Sequence, residues 1–174
     1  MVATVLSNNL NKKVKILSFS DKLKKVAAEL FGIDILHFTR RDLKEKEIPF
    51  WGMSPRQMMQ KLGTDACRNG LGDNIWIRVM EMEITKHNAD VIIIPDIRFD
   101  NEAEFVKESN GFVFELRREG LVEIKNNEHK SEQGIDNELV DWTIMNMNNN
   151  PFQAASMVMT ALLKQFDLME NSNE

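Results

Sequence analysis

The apolar positions of this chain follow two periods, one typical of β-strands and one typical of α-helices. Continuous or alternating apolar residues predict strands over 14–19, 91–94, 112–116 and 141–146. Apolar residues at helical spacing predict helices over 1–10, 20–31, 56–62, 74–87, 101–109 and 152–166, with irregular segments at 33–53 and 117–138, a turn at 148–150 and a frayed tail at 169–174. Strands that alternate with helices predict a mostly parallel α/β sheet in one domain over residues 1–174.

Val91–Ile94 is the clearest of these signals, because four consecutive β-branched apolar residues are typical of a strand buried on both faces. In parallel sheets, ligands bind beyond the carboxyl ends of the strands. Asp96 and Arg98 follow this strand, and their side chains suit a sugar, a base, a hydrated magnesium ion or a phosphate. Asp100 and Glu102 fit that edge as well, but they equally fit the N-terminus of the helix that follows.

A second polar cluster begins with a capped helix, in which Ser54 is the N-cap and Pro55 the first helical residue. This helix presents Arg56 and is predicted to end at Gly63, with Thr64 directly after it. The pattern alone indicates an ordinary amphipathic helix with a glycine at its end.

Two further side chains have both a structural and a functional interpretation. A tryptophan near arginines can stack on a nucleobase, although Trp76 taken alone is typical of a core residue. Arg118 closes a predicted strand, where it suits a phosphate or a solvated face equally well. The sequence leaves both alternatives open.

Composition narrows the class of partner. The formal net charge is −5, which argues against broad binding to nucleic acid polymers or to an acidic membrane surface. No apolar run approaches the roughly 20 residues of a membrane span. A single cysteine excludes an intrachain disulfide or a cysteine-based zinc site, and it favours a cytoplasmic protein.

Taken together, these segments resemble the bacteriophage deoxynucleoside monophosphate kinases. The matching stretches are, in order, Pro55–Asp65, Trp76, Ile94–Glu102, Gly111–Arg118 and His129–Glu132. The combination of Leu-Gly-Thr-Asp with Pro-Asp-x-Arg-x-Asp-x-Glu is the most specific part. The resemblance covers almost the whole chain.

The resemblance implies a three-layer α/β/α P-loop nucleoside kinase fold. The implied reaction transfers the γ-phosphate of ATP to a deoxynucleoside monophosphate with magnesium, and a homodimer is left open. The resemblance gives catalytic roles to Asp96, Arg98 and Arg118, with Arg118 near the ATP. It gives substrate-binding roles to Asp21, Lys22, Arg56, Gly63, Thr64, Trp76 and Glu102, with Asp21 and Lys22 near the substrate phosphate. It assigns no side chain as a metal ligand.

One part of the family pattern does not occur in the 174 residues. The family begins with a strand and a Gly-x-x-x-x-Gly-Lys loop that binds the ATP phosphates, and none of the eight glycines belongs to such a sequence. Aligned to the family, Met1 falls just after this loop, inside a helix that has no N-cap. We therefore expect the first strand and the P-loop to be missing, through a truncated gene product or a start codon assigned too far downstream.

Three hypotheses follow from this gap. The first is a nucleotide kinase that is complete only with upstream residues. The second is a nucleotide-binding or decoy protein that keeps the monophosphate pocket without catalysis. The third is a structural partner that completes its sheet with a strand from another chain.

A phosphotransfer assay tests the first hypothesis. Residues 1–174, incubated with radiolabelled ATP and either dGMP or dTMP, are expected to transfer no phosphate at a useful rate, because the sequence lacks the lysine and glycine loop that holds the ATP phosphates. Robust turnover would overturn this prediction.

Overall fold

The computed structural model describes residues 12–118, 134–146 and 150–171. In chain order its elements are β1 (Val14–Ile16), α1 (Phe19–Phe31), α2 (Leu36–Thr39), α3 (Arg41–Lys44), α4 (Pro55–Gln60), a π-helix (Lys61–Arg68), α5 (Asn69–Leu71), α6 (Ile75–Ile84), β2 (Val91–Ile93), α7 (Asp100–Glu108), β3 (Phe114–Arg118), a 3₁₀ turn (Asn137–Leu139), β4 (Trp142–Asn146) and α8 (Pro151–Asn171). The helix predicted over 1–10 lies outside the described residues, as does most of the turn predicted over 148–150.

The chain divides into two compact units. The helical unit comprises Leu17–His87 and Ile94–Ile97, and the strand unit comprises Met1–Ile16, Asn88–Ile93 and Arg98–Glu174. The predicted mixture of helices with short parallel strands is confirmed. The single domain over 1–174 stays a prediction.

The strand unit contains two pairs of parallel strands. β1 pairs with β2 so that Val14 lies opposite Val91. β3 pairs with β4, and Phe114 stacks on its partner Trp142 with ring centroids 5.2 Å apart. Parallel pairs cannot be joined by a tight hairpin, so the chain between the members of each pair has to cross over.

Aspartate side chains fix the ends of both strand pairs. The carboxylate of Asp90 accepts the backbone N–H of Lys13 at 2.8 Å, directly before β1. The carboxylate of Asp141 accepts the N–H of Val113 at 2.8 Å and the ammonium of Lys107 at 2.6 Å, directly before β4. Each pair therefore has a side-chain hydrogen bond at its N-terminal end.

The predicted strands and their burial need correction. The first strand was expected over 14–19, but it ends at Ile16, since Ser18 caps a helix that begins at Phe19. Val91–Ile93 forms a strand as predicted, yet its three residues are only half-buried, so complete burial on both faces is wrong for the described structure. The third strand runs to Arg118 rather than to Leu116.

Most predicted helix starts are confirmed, while several helix ends and one segment are not. Ser54 and Pro55 begin α4 with a capping box, and α1 ends at Gly32 in the left-handed conformation (φ 62°). The segment 33–53, predicted as irregular, contains the short helices α2 and α3. The tail predicted to fray from residue 169 is helical through Asn171.

The helical unit has its own hydrophobic core. Ala27, Phe38 and Met58 are at most 1% exposed, and Met59 completes the cluster. Half-buried apolar residues pack around them, namely Leu23, Ala28, Phe31, Ile33, Ile48, Met53 and Leu62. The unbranched side chains of Met58 and Met59 fill the space between α1 and α4. Among the described residues, no helix is both long and apolar enough to cross a membrane.

Truncating Met58 tests whether this cluster stabilises the helical unit. Met58→Ala is expected to lower the free energy of unfolding by about 2–5 kcal/mol, because the side chain is fully buried and leaves a cavity. Urea unfolding measures the loss. Met82→Ala is the control, since that side chain is 61% exposed, and equal losses for the two variants would contradict the assignment of the core.

Candidate functional site

The carboxylate of Asp96 binds the start of helix α1. One oxygen accepts the backbone N–H of Phe19 at 3.1 Å. The other accepts the backbone N–H of Ser20 at 3.1 Å and the hydroxyl of Ser18. These N–H groups have no partner within the helix, and a negative charge at this end is favourable. Asp96 therefore joins the segment after β2 to the segment after β1.

Ser18 is the residue of this junction that sequence patterns missed. Its hydroxyl also accepts the N–H of Ser20 at 3.2 Å, which makes Ser18 the N-cap instead of the predicted Ser20-Asp21. The catalytic role predicted for Asp96 stays a prediction. Its hydrogen bonds show that the side chain positions the backbone of α1.

Asp21 and Lys22 lie in the first turn of α1, and both are exposed. The Asp21 carboxylate lies 3.6 Å from the ammonium of Lys24.

The Glu83 carboxylate accepts a hydrogen bond from Lys86, and this bond lowers the pKa of Glu83. The charges of Lys86, Lys22 and Lys25 lower it further, so the cation of Lys22 acts on the end of α6.

Gly63 and Trp76 are brought into direct contact. The indole N–H of Trp76 donates to the carbonyl oxygen of Gly63 at 2.9 Å, and both residues are buried. A Cβ on Gly63 would lie 2.7 Å from a methyl carbon of Leu23, so glycine permits α1 to approach closely. Trp76 is thus anchored in the packing of the helical unit, which agrees with the core alternative left open by the sequence.

Gly63 lies within a helix, so the prediction that the helix ends there is wrong. The chain continues from α4 into the π-helix, which carries Gly63, Thr64 and Cys67. π-helical turns are rare and often occur at functional sites. Thr64 is half-buried on this segment, and burial raises the pKa of the Cys67 thiol, which disfavours the nucleophilic thiolate.

Arg56 lies in the first turn of α4, between the two residues of its capping box, Ser54 and Gln57. Ser54 accepts the N–H of Gln57 at 3.3 Å, while the Gln57 side chain accepts the N–H of Ser54 at 2.9 Å. The guanidinium of Arg56 donates to the carboxylate of Glu45 at 2.9 Å. Both partners are partly exposed, so the pair is accessible to a competing anion.

The other three predicted site residues, which belong to the strand unit, are Arg98, Glu102 and Arg118. The carboxylate of Glu102 is 3% exposed and accepts the backbone N–H of Arg98 at 2.9 Å, which closes the turn into α7. Asp100 accepts the N–H of Asp136 at 2.8 Å, so it contacts the chain near the 3₁₀ turn. Arg118 is the last residue of β3, and its side chain lies outside the described atoms.

The structure therefore groups seven of the ten predicted site residues in the helical unit: Asp21, Lys22, Arg56, Gly63, Thr64, Trp76 and Asp96. Arg98, Glu102 and Arg118 lie in the strand unit. Arg68 was not singled out for a structural role, yet it is 4% exposed and its guanidinium donates to the carbonyl of Asp73 at 2.8 Å. A charged residue between Cys67 and Asn69 gives no sequence signal of burial.

The comparisons with known proteins cover most of the chain. A family model described as deoxynucleotide monophosphate kinase matches residues 1–153. The chain belongs to the deoxynucleotide monophosphate kinase family. The resemblance stated from the motifs is confirmed by this match.

Two relatives of the family show how far the similarity extends. A protein named as a deoxynucleotide monophosphate kinase in Acanthamoeba polyphaga mimivirus is 30% identical over 152 residues, which cover 78% of this chain and 76% of the relative. The deoxynucleoside-5'-monophosphate kinase of Escherichia phage T5 is 31% identical over 99 residues. That match covers 54% of this chain and 40% of the phage protein.

Membership of this family implies that ATP and magnesium are used, and the described residues contain no ready-made group of metal ligands. No group of three histidine, cysteine, aspartate or glutamate side chains in metal-binding geometry occurs within 12–118, 134–146 and 150–171. Both oxygens of Asp96 already accept hydrogen bonds from α1. No chemical step is therefore assigned to a metal ion on these residues.

Replacing Trp76 tests the link to Gly63. Trp76→Phe keeps an aromatic ring but removes the N–H, so we expect a loss of about 1–3 kcal/mol in the free energy of unfolding. Trp51→Phe is a matched control, since it removes a 3.2 Å indole hydrogen bond to the Phe31 carbonyl at an exposed position, where water can replace it. An equal or smaller loss for Trp76→Phe would contradict a structural role for this bond.

Proposed function

We propose that the helical unit binds the deoxynucleoside monophosphate in a kinase reaction that transfers phosphate from ATP. The observation that carries this proposal is the grouping of seven predicted site residues in one compact unit of a chain that belongs to the family. We also propose that the chain has the three-layer P-loop nucleoside kinase fold. We propose a cytoplasmic location as well.

Arg56 is the proposed phosphate ligand. Its planar guanidinium can donate two parallel hydrogen bonds to a phosphate, as it does to carboxylates. One of its partners in the structure is the Glu45 carboxylate, whose side chain is 57% exposed. A phosphate monoester carries more charge than a carboxylate, so it competes for Arg56 while Glu45 turns to solvent.

The remaining residues of the helical unit orient the substrate and the backbone around it. The Thr64 hydroxyl provides a donor and an acceptor on the π-helix. The bond between Trp76 and Gly63 fixes the position of this segment. Asp96 holds the first turn of α1, where Asp21 and Lys22 lie. These are positioning contributions, which supply much of the rate acceleration in phosphoryl transfer.

When bound, ATP with magnesium supplies the phosphoryl group and neutralises its charge. The resemblance puts Arg118 near the ATP, while the Gly-x-x-x-x-Gly-Lys sequence that would bind the ATP phosphates does not occur in the 174 residues. A second candidate function is a protein that binds deoxynucleotides without catalysis. The two candidates share the monophosphate site and differ in turnover.

Calorimetric titration with dGMP and dTMP tests the shared site. The unmodified chain is expected to bind at least one of the two, and Arg56→Ala is expected to weaken that binding by about tenfold or more, because a charge-assisted hydrogen bond is lost. Lys164→Ala removes one positive charge from an exposed position on α8 and serves as the control.

Three outcomes of the titration are informative. Weakening by Arg56→Ala but not by Lys164→Ala supports the assignment. Equal effects of the two variants would show that only net charge matters. Absence of binding to either nucleotide by the unmodified chain would refute the proposed function.

A further inference from the structure

Phe50 is the most exposed large hydrophobic residue among the described ones, with 85% of its surface in contact with solvent. A single exposed apolar residue is common on protein surfaces and by itself carries no information. Phe50 differs because its position is fixed by several contacts of a tight turn. We propose that its ring is a stacking surface for the nucleobase of the deoxynucleoside monophosphate.

The turn that carries Phe50 is rigidly closed. Ile48 donates its N–H to the carbonyl of Met53 at 3.0 Å, and the N–H groups of Trp51 and Gly52 both return to the carbonyl of Ile48 at 2.9 and 3.0 Å. Gly52 adopts φ 59°, a conformation that side chains disfavour. Ile48 and Met53 pack against the core of the helical unit, so the turn is anchored at its base.

A second aromatic ring supports Phe50 from one side. Trp51 meets Phe50 edge-to-face with ring centroids 5.0 Å apart, and it meets Phe31 in the same way at 5.1 Å. The indole N–H of Trp51 donates to the carbonyl of Phe31 at 3.2 Å. Because Phe50 is 85% exposed, its ring keeps an open face for a planar ligand.

The turn also lies next to the proposed phosphate ligand in the chain. The ion pair of Glu45 with Arg56 connects the residues on either side of the turn, at a distance of 2.9 Å. The same short segment therefore presents an exposed aromatic ring at its tip and a guanidinium at its base. A nucleoside monophosphate has the matching chemistry, with a planar base at one end and a phosphate at the other.

The size and surroundings of the aromatic surface favour a base over a protein partner. One phenylalanine ring and one partly exposed indole provide roughly 200 Å², whereas a stable protein interface needs about 1,000 Å² or more in total. Charged residues precede the turn. They include Lys46 and the exposed ion pair of Arg40 with Asp42, whose charged atoms lie 2.7 Å apart. This surface suits one stacked ring within a polar rim.

Dissociation constants for dGMP, dTMP and 2-deoxyribose 5-phosphate test this inference, which depends on the proposed function. Phe50→Ala is expected to weaken binding of the nucleotides by about tenfold or more, as loss of one aromatic–base stack does, and to leave the base-free sugar phosphate unchanged. Phe50→Tyr retains a ring and is expected to bind the nucleotides as the unmodified chain does. Phe152→Ala, on α8 of the strand unit, removes a phenylalanine that is 63% exposed and serves as the matched control.

Fluorescence gives an independent readout, since a base stacked on Phe50 lies beside Trp51. Nucleotide is expected to quench the emission of the unmodified chain more than that of Trp51→Phe. Nucleotide binding that Phe50→Ala leaves intact would refute the base-stacking role while the proposed function stands. A change in oligomeric state with unchanged nucleotide affinity would also refute it and would assign Phe50 to a protein contact. Failure of the unmodified chain to bind any nucleotide would refute the proposed function and this inference with it.

Discussion

The carboxylate of Asp96 is the contact on which the start of α1 depends. It accepts hydrogen bonds from the hydroxyl of Ser18 and from the backbone N–H groups of Phe19 and Ser20, about 78 residues earlier in the chain. Those N–H groups would otherwise be unsatisfied at a helix end, where each lost hydrogen bond costs about 1–3 kcal/mol. The start of α1 therefore depends on a residue that follows β2 in the sequence.

The same dependence extends along α1 to the other candidate residues. Leu23, one turn further on, packs over Gly63, and the Gly63 carbonyl accepts the indole N–H of Trp76. Each of these contacts joins segments that are distant in sequence. Asp96, α1, the π-helix and α6 thus form a connected series of contacts in the helical unit. Displacing α1 is expected to move the backbone of Thr64 as well.

Local chemistry explains which features could be predicted from the sequence. A serine followed by a proline begins α4, and a glycine ends α1, because the energetics of a helix end are determined by a few neighbouring residues. The run of β-branched residues that begins at Val91 predicted β2, because this signal too lies within a few neighbouring residues. The family assignment also followed from short motifs, each of them continuous in sequence.

Distant contacts explain where the predictions failed. Gly63 has the local signature of a helix end, but close approach by Leu23 and a hydrogen bond from Trp76 accompany a helix that continues through it. Ser20-Asp21 is a plausible cap, but the carboxylate of Asp96 selects Ser18. The exposed position of Phe50 is supported by ring contacts of Trp51 with Phe50 and with Phe31, and no sequence periodicity connects these residues. These features belong to tertiary packing, which single-sequence patterns do not encode.

A double-mutant cycle on Ser18 and Asp96 tests most directly whether the carboxylate fixes the start of α1. The free energies of unfolding of Ser18→Ala, Asp96→Ala and the double variant are measured by urea denaturation and compared with the unmodified chain. Because the hydroxyl donates to a charged acceptor, we predict a coupling of about 1 kcal/mol or more between the two substitutions. Losses that add to within about 0.3–0.5 kcal/mol would contradict the account.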